Sequence, residues 1–313
     1  MGENPSPEVF VIVNCAINVP LIFVAIIGNS LVLAAILKTP SLQRSPSIVF
    51  LSSLAVSDLL VGSVVQPLFI SSGLAQNFFL GSLWLKVGFV CCGFSLSTMT
   101  AISLDRFLAL HYHINYAGFM TISRVIAILA TIWAINILLP FIYTWSPKTY
   151  YQIVALAMFL YLSISTFSYF RIYRIVRKHQ ARIYAQQQAV QLPNQEAGDS
   201  LIFMHLKRSA MNTFVFYIVM ILCFSPVFVD MSISLSKGQE NARGFTTTAV
   251  FMNSSINPIL YSWRLAELRA AVVKILRKLC CRKPWGTPHT LNSVCFLNML
   301  ICPVHSAGKA YSA

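Results

Sequence analysis

The chain of 313 residues is 57% hydrophobic and only 10% charged, with a mean hydropathy of +0.69, far from the soluble norm of about half apolar and a quarter charged. So few charges cannot cover a water-soluble domain of this size, so most of the apolar surface must meet lipid, which excludes a soluble enzyme, a disordered chain and a collagen-like repeat. The 23 basic residues against 9 acids, a formal net charge of +14, would suggest nucleic acid in a soluble protein; their positions along this chain assign them to membrane topology instead, and no nucleic-acid partner is expected.

In chain order, uncharged windows cover Val9 to Leu37, Ser45 to Leu85, Val87 to Leu104, Val125 to Pro147, Thr149 to Phe170, Ser209 to Val229 and Gly244 to Trp263. Each approaches or exceeds the roughly 18 to 20 residues that cross hydrocarbon as a helix. The second holds one acid, Asp58, and is long enough for a span plus a loop around Ser71 to Gly81. An all-α fold follows: a seven-transmembrane helix bundle with a short amphipathic eighth helix. Turn-formers such as Thr39-Pro40-Ser41 and Ser45-Pro46 make the connections short and neighbours antiparallel.

Residues 1–8 read as a short extracellular N-terminus, 9–262 as the seven-span domain, 263–281 as an interfacial helix and 282–313 as a cytoplasmic tail. The N-terminus carries Glu3 and Glu8 with no base, and the apolar run behind it lacks a small-residue cleavage site, which favours a first membrane helix over a removed signal peptide. With that end outside, only Lys86, Lys148, Lys237 and Arg243 of the 23 bases lie near the outer face, as the positive-inside rule requires. Arg171, Arg174, Arg177, Lys178 and Arg182 repeat at helical spacing, either anchoring the end of span five to anionic lipid or forming one wall of a protein site. Ala185 to Asp199 reads as a flexible linker. After span seven, Trp263, Leu265, Leu268, Val272, Ile275 and Leu276 oppose Arg264, Arg269, Lys274 and Arg277, a pattern for a helix lying on membrane lipid. Cys280-Cys281 at its end suit palmitoylation or are simply reduced thiols. Leu291 to Val304 is apolar but too short to span.

An ionisable group in a span costs at least about 2.5 kcal/mol on insertion scales, so it faces the bundle and has partners. For Asp58 the candidates are Asn29, Ser95, Asn253, Ser254 and Asn257. Oxygens of this kind suit a small hard cation such as sodium, or a water-mediated network that joins helices. At the inner end of span three stands Asp105-Arg106-Phe107, either an interfacial anchor or a pair that releases Arg106 in a second state. Pro226, in Cys223-Phe224-Ser225-Pro226, and Pro258, in Asn257-Pro258-Ile259-Leu260-Tyr261, each remove a backbone hydrogen bond and are expected to kink spans six and seven; Pro20 and Pro67 read as static bends.

These residues resemble the rhodopsin-like (class A) family of G-protein-coupled receptors, over Val9 to Cys281. Gly28-Asn29, Leu54-Ala55-Val56-Ser57-Asp58, Asp105-Arg106-Phe107, Trp133, Tyr169, Pro226 and Asn257 to Tyr261 fall in the family's order. The resemblance implies a plasma-membrane receptor that passes an extracellular ligand's signal to a heterotrimeric G protein by an outward swing of span six; with no Ser/His/Asp set, Gly-rich phosphate loop or zinc-ligand spacing in the sequence, no enzymatic activity is expected. It implies an allosteric sodium site at Asp58, Ser95, Asn253, Ser254 and Asn257, with no other cofactor, and an activation switch from Asp105, Arg106, Tyr169, Phe224, Pro226, Pro258 and Tyr261. Gly81 stands where the family usually has the span-three cysteine, and Tyr143 to Tyr151 has none, so that disulfide is absent; Cys91 and Cys92 lie deeper and are expected to pack in the bundle. With Tyr161 in place of the usual span-five proline, the chain looks like the cluster of melanocortin, cannabinoid, lysophospholipid and adenosine receptors. The inner end of span six, His205-Leu206-Lys207-Arg208, lacks the acid that pins the span-three arginine in many relatives, which predicts raised basal activity.

Amine receptors of the family carry an aspartate where this chain has Gly88, and opsins a lysine where it has Phe251, so neither an amine nor retinal is expected. Gln66, Lys86, Phe89, Cys92, Phe228, Asp230, Met231, Thr247 and Phe251 are the expected pocket residues, largely apolar with a few polar anchors. They leave a lipid-like ligand, another small molecule and a short peptide all open.

Overall fold

The computed structural model describes residues 7–112, 115–188, 214–233 and 243–280. Two compact units are distinguished, 1–275 and 276–313; of the second only 276–280, the end of the last helix, is described. His205 to Arg208, Lys237, Cys281 and the 282–313 tail lie outside the described residues.

All the long elements are helices: α1 Pro7–Leu37, α2 Pro40–Gln43, α3 Pro46–Leu60, a π turn Val61–Val65, α4 Gln66–Ala75, α5 Phe78–Tyr112, α6 Tyr116–Phe119, α7 Ile122–Leu138, α8 Pro140–Trp145, α9 Pro147–Gln188, α10 Phe214–Ile233, α11 Arg243–Arg264 and α12 Ala266–Cys280. Pro40, Pro46 and Pro140 each open a helix, where a missing N–H would have had no partner anyway. The expected turn at Thr39 to Ser41 is therefore a single helical turn. The expected loop from Ser71 to Gly81 shrinks to Gln76 and Asn77, with Gln76 at φ 47° reversing the chain; the side chain of Asn77 accepts the backbone N–H of Phe79 at 2.9 Å and so starts α5. The third span correspondingly grows to 35 residues, about 52 Å at 1.5 Å per residue.

Among the described residues six helices are long and apolar enough to cross a membrane. The seventh, α11, is less apolar because Thr248, Asn253, Ser254, Ser255 and Asn257 are all buried on it, against α1 and α3. Exposure is inverted relative to a soluble protein: Phe23, Ile126, Phe159 and Leu222 are 54–65% exposed, whereas Asn29, Asp58 and Asn257 are 0% exposed. Only a lipid exterior makes that arrangement favourable, so the chain is a multi-pass membrane protein built as a seven-helix bundle.

α5 runs through its centre, packing on α3, α4, α7 and α9. α1 and α11 pack closely at Gly28, where an added Cβ would lie 2.6 Å from Pro258 Cγ. Trp133 on α7 donates to Ser53 Oγ at 3.0 Å and stacks on Phe94 at 4.2 Å, tying α7 to α3 and α5. On α12, Leu268, Val272 and Ile275 of the apolar stripe are buried against protein rather than left open to lipid, whereas Trp263, at the end of α11, is exposed.

Candidate functional site

Asp58 sits one turn before the π turn with its carboxylate fully buried. Ser95 of α5 and Ser254 of α11 donate to Oδ1 at 3.0 and 2.8 Å, and Asn257 of α11 donates to Oδ2 at 2.8 Å. Ser57 shares a 3.0 Å hydrogen bond with Ser95. Two expected partners do not bond the carboxylate. Asn29 donates instead to the Ser254 carbonyl at 3.1 Å, and the Asn253 amide faces the sulfur of Met99 at 3.9 Å. The reason is helical phase: Asn253 precedes Ser254 by one residue, so the two point about 100° apart. The amide oxygens of Asn29, Asn253 and Asn257 are buried without a hydrogen-bond partner, and of the three residues Asn257 is the one whose amide meets the carboxylate. Oxygen donors of this kind could hold a small hard cation. Among the described residues no group of three His, Cys, Asp or Glu side chains is placed to hold a metal ion.

At the far end of α5, Asp105 and Arg106 are 1% and 9% exposed and form an ion pair. Asp105 also accepts from the Tyr116 hydroxyl of α6, and from Ser47 of α3 at 3.5 Å. Burial pushes the Tyr116 phenol up, and the charge of Asp105 pushes it further, so the hydroxyl remains a donor. Sequence reasoning passed over Tyr116 because nothing in a short loop marks it. Tyr169 and Tyr261 are buried and line one small void with Met99, Phe216 and Met220, while Phe216 packs edge-on against Tyr261 at 5.1 Å. The basic end of α9 is ordered by its own preceding turn: Arg171, Arg174 and Arg177 lie over Phe167, Phe170 and Tyr173 at 5.6–5.8 Å.

A cavity of about 600 Å³ opens toward the other end, among α5, α7, α9, α10 and α11. Phe89, Cys92, Asp230, Met231, Thr247 and Phe251 line it as expected, and so does Phe224. Gln66, Lys86 and Phe228 do not. Lys86 is drawn aside by the Tyr143 ring, its ammonium 5.2 Å from the centroid. Phe228 lies outside the lining although Phe224 and Met231, one turn to either side of it, belong to it. Gln66 is displaced by the π turn, whose extra residue rotates everything after it by about 100° relative to a regular helix. Lys148, Tyr151, Met158 and Tyr161 of α9 line the cavity in addition. Cys91 packs with Val61, Val65 and Phe251, and Cys91 and Cys92 carry free thiols.

Gln66 joins a polar cluster that the sequence reading missed. Its amide donates to Asn18 Oδ1 at 3.3 Å; Asn18 donates to Thr248 Oγ1 at 2.8 Å and to the Asn14 carbonyl at 2.8 Å; Thr248 donates to Asn14 Oδ1 at 2.7 Å. This ties α1, α4 and α11 together. The available signal was two asparagines one turn apart in the first half of an apolar span.

Residues 28–148 match the model of the 7 transmembrane receptor (rhodopsin family). The chain is 38% identical over 128 residues to Probable G-protein coupled receptor No18 of Amphibalanus amphitrite, covering 40% of this chain and 34% of that protein. It is 28% identical over 271 residues to human G-protein coupled receptor 6, covering 79% and 70%, and 25% identical to Dopamine receptor 1 of Drosophila melanogaster, covering 95% and 70%. The match thus spans about a third of the barnacle relative and more than two thirds of the other two.

Proposed function

We propose, from the match of residues 28–148 to the 7 transmembrane receptor (rhodopsin family) and the likeness to G-protein coupled receptor 6, that the chain is a rhodopsin-like (class A) plasma-membrane receptor carrying a ligand signal from the cavity to a heterotrimeric G protein. The N-terminus is extracellular and the Arg106 end cytoplasmic. The observation that carries this reading is one continuous helix, α5, that bears the cavity residues Phe89 and Cys92, then Ser95 on the Asp58 carboxylate, then Asp105 and Arg106. A ligand that binds better to one of two packings of this bundle shifts the population toward it, and that difference in affinity is the whole of the signal.

The active packing has α10 swung outward at Pro226, which cannot complete its backbone hydrogen bond and so lowers the cost of bending. Arg106, released from Asp105, then faces the G protein, with Tyr169 and Tyr261 repacking around the small void between them. Sodium bound at Asp58 would supply a counter-charge that favours the closed packing, and Asp58, Ser95, Ser254 and the Asn257 oxygen would hold it. Reciprocity requires that G protein raise ligand affinity and sodium lower it.

One relative is named a dopamine receptor, yet an amine ligand is not proposed. Gly88 lines the cavity, so α5 contributes no carboxylate there, and Asp230 is the acid among the described lining residues. Retinal is set aside because Gly244 to Trp263 of α11 offers no lysine. Cys280 and Cys281 are proposed as palmitoylation sites. The test is basal nucleotide exchange on each main G-protein class in cells expressing wild type, Arg106→Ala and Asp58→Asn at matched surface levels. Basal exchange abolished by Arg106→Ala is the expected result; exchange by wild type equal to that of untransfected cells for every class, with no response to any ligand, overturns the reading.

A further inference from the structure

We propose that the cavity is entered sideways from the bilayer, through a gap between α7 and α9, and that its ligand is a single-chain lipid amphiphile. The inference rests on the receptor reading for the meaning of the ligand and narrows its class.

Three observations meet at this gap. Ile135 of α7 lines the cavity and yet is 55% exposed, so the cavity wall is also part of the outer surface of the bundle. Ile153 and Ala157 of α9 line the same cavity and are only half-buried. Lastly, α7 packs on α3 and α5 while α9 packs on α5 and α8, and α7 and α9 scarcely touch each other. The two spans close on one another only at the α8 end, where Tyr143 packs edge-on against Tyr150 and Tyr151; the stretch of α7 and α9 beyond it, with a cavity behind, makes a slot.

The depth of the slot decides what passes through it. Ala157 lies ten residues into α9, about 15 Å along the helix axis from Pro147, well inside a hydrocarbon layer about 30 Å thick. A water-soluble ligand never reaches that level from the side, whereas an acyl chain already resides there. The volume of about 600 Å³ falls within the roughly 300–1,000 Å³ of small-molecule sites. Polar side chains stand toward the α9 N-terminus, with Lys148 and Tyr151 lining the cavity there, and Met158 and Leu96 lie deeper. A head group toward Lys148 and a chain toward Met158 matches this polarity.

The test uses the full chain in phospholipid nanodiscs containing an eighteen-carbon fatty acid with a mid-chain diazirine. After photolysis, residue-level mass spectrometry gives the ratio of label on Cys92, inside the cavity, to label on lipid-facing Phe23 of α1, 60% exposed. We expect Cys92 to be labelled in wild type, the ratio to fall at least tenfold in Ala157→Trp, which plugs the slot, and to rise in Ile135→Ala, which widens it. The opposed directions separate a plug from misfolding. A ratio unchanged in both variants, or no label on Cys92 in wild type, overturns the proposal. G-protein exchange measured on the same nanodiscs keeps the two readings apart: unlabelled Cys92 with exchange intact removes the slot alone, while label without exchange on any G protein removes the receptor reading alone.

Discussion

Tyr116→Phe removes one hydroxyl and nothing else, and its effect follows from where that hydroxyl points. Asp105 is 1% exposed and is held by Arg106, Tyr116 and a weak contact from Ser47. A hydrogen bond to a charged group contributes about 1.5–3 kcal/mol. If that bond exists only while Asp105 holds Arg106, its loss shifts the balance toward the released state by roughly ten- to a hundredfold, at 1.4 kcal/mol per decade. A receptor resting with about 1% of molecules active would then rest with about 10–50% active. The assay is basal nucleotide exchange in membranes at equal surface expression, with Tyr116→Phe/Arg106→Ala as the control that returns the signal to background. Because burial and the charge of Asp105 both raise the Tyr116 phenol, the wild-type hydroxyl stays protonated and the difference between the two proteins holds from about pH 6 to 9. Basal exchange within about twofold of wild type would show that Asp105 keeps its partners in both states, and the argument would fail.

Gly28→Val should place methyl groups where Pro258 already stands and lower stability by about 1–3 kcal/mol, read as a drop in thermal midpoint in detergent, with Gly28→Ala smaller in the same direction. Asn18→Leu should cost about 1–3 kcal/mol because it strips Thr248 of a donor and leaves the Gln66 amide unpaired; a thermal midpoint unchanged from wild type would mean that water replaces Asn18 freely. Asp58→Asn should abolish the effect of sodium on basal exchange, measured as a sodium chloride titration against choline chloride at constant ionic strength.

The seven spans and the bundle-facing polar residues were legible because both depend on side-chain chemistry that lipid cannot tolerate. Asp58 had to be buried and partnered, and the hydroxyls of Ser95 and Ser254 were the donors within reach. What was hidden depended on phase and local reach rather than residue type. Asn253 and Ser254 are both uncharged donors, and the rotation of α11 decides which one meets the carboxylate. Lys86 reads as a pocket cation until the Tyr143 ring is seen beside it. The loop after span two was overestimated because Ser71, Ser72 and Gly73 resemble turn residues, although α4 continues through them. The gap between α7 and α9 is a property of two surfaces failing to meet, and no single residue announces it.

The π turn at Val61–Val65 has a consequence for how such a bundle changes over generations. Residues inward of it, Asp58 among them, keep the angular position that their partners need. Residues outward of it, including Phe69 with its edge-on rings Trp84 and Phe251 at 5.1 and 5.5 Å, depend on the one surplus residue for theirs. Loss of a single codon within 61–65 would restore regular winding and turn the outer third of the span by about 100°, carrying Phe69 away from the cavity residues Trp84 and Phe251 while leaving Asp58 in place. Insertion and deletion at this point therefore change what stands behind the cavity wall in one step, without a substitution in the wall itself.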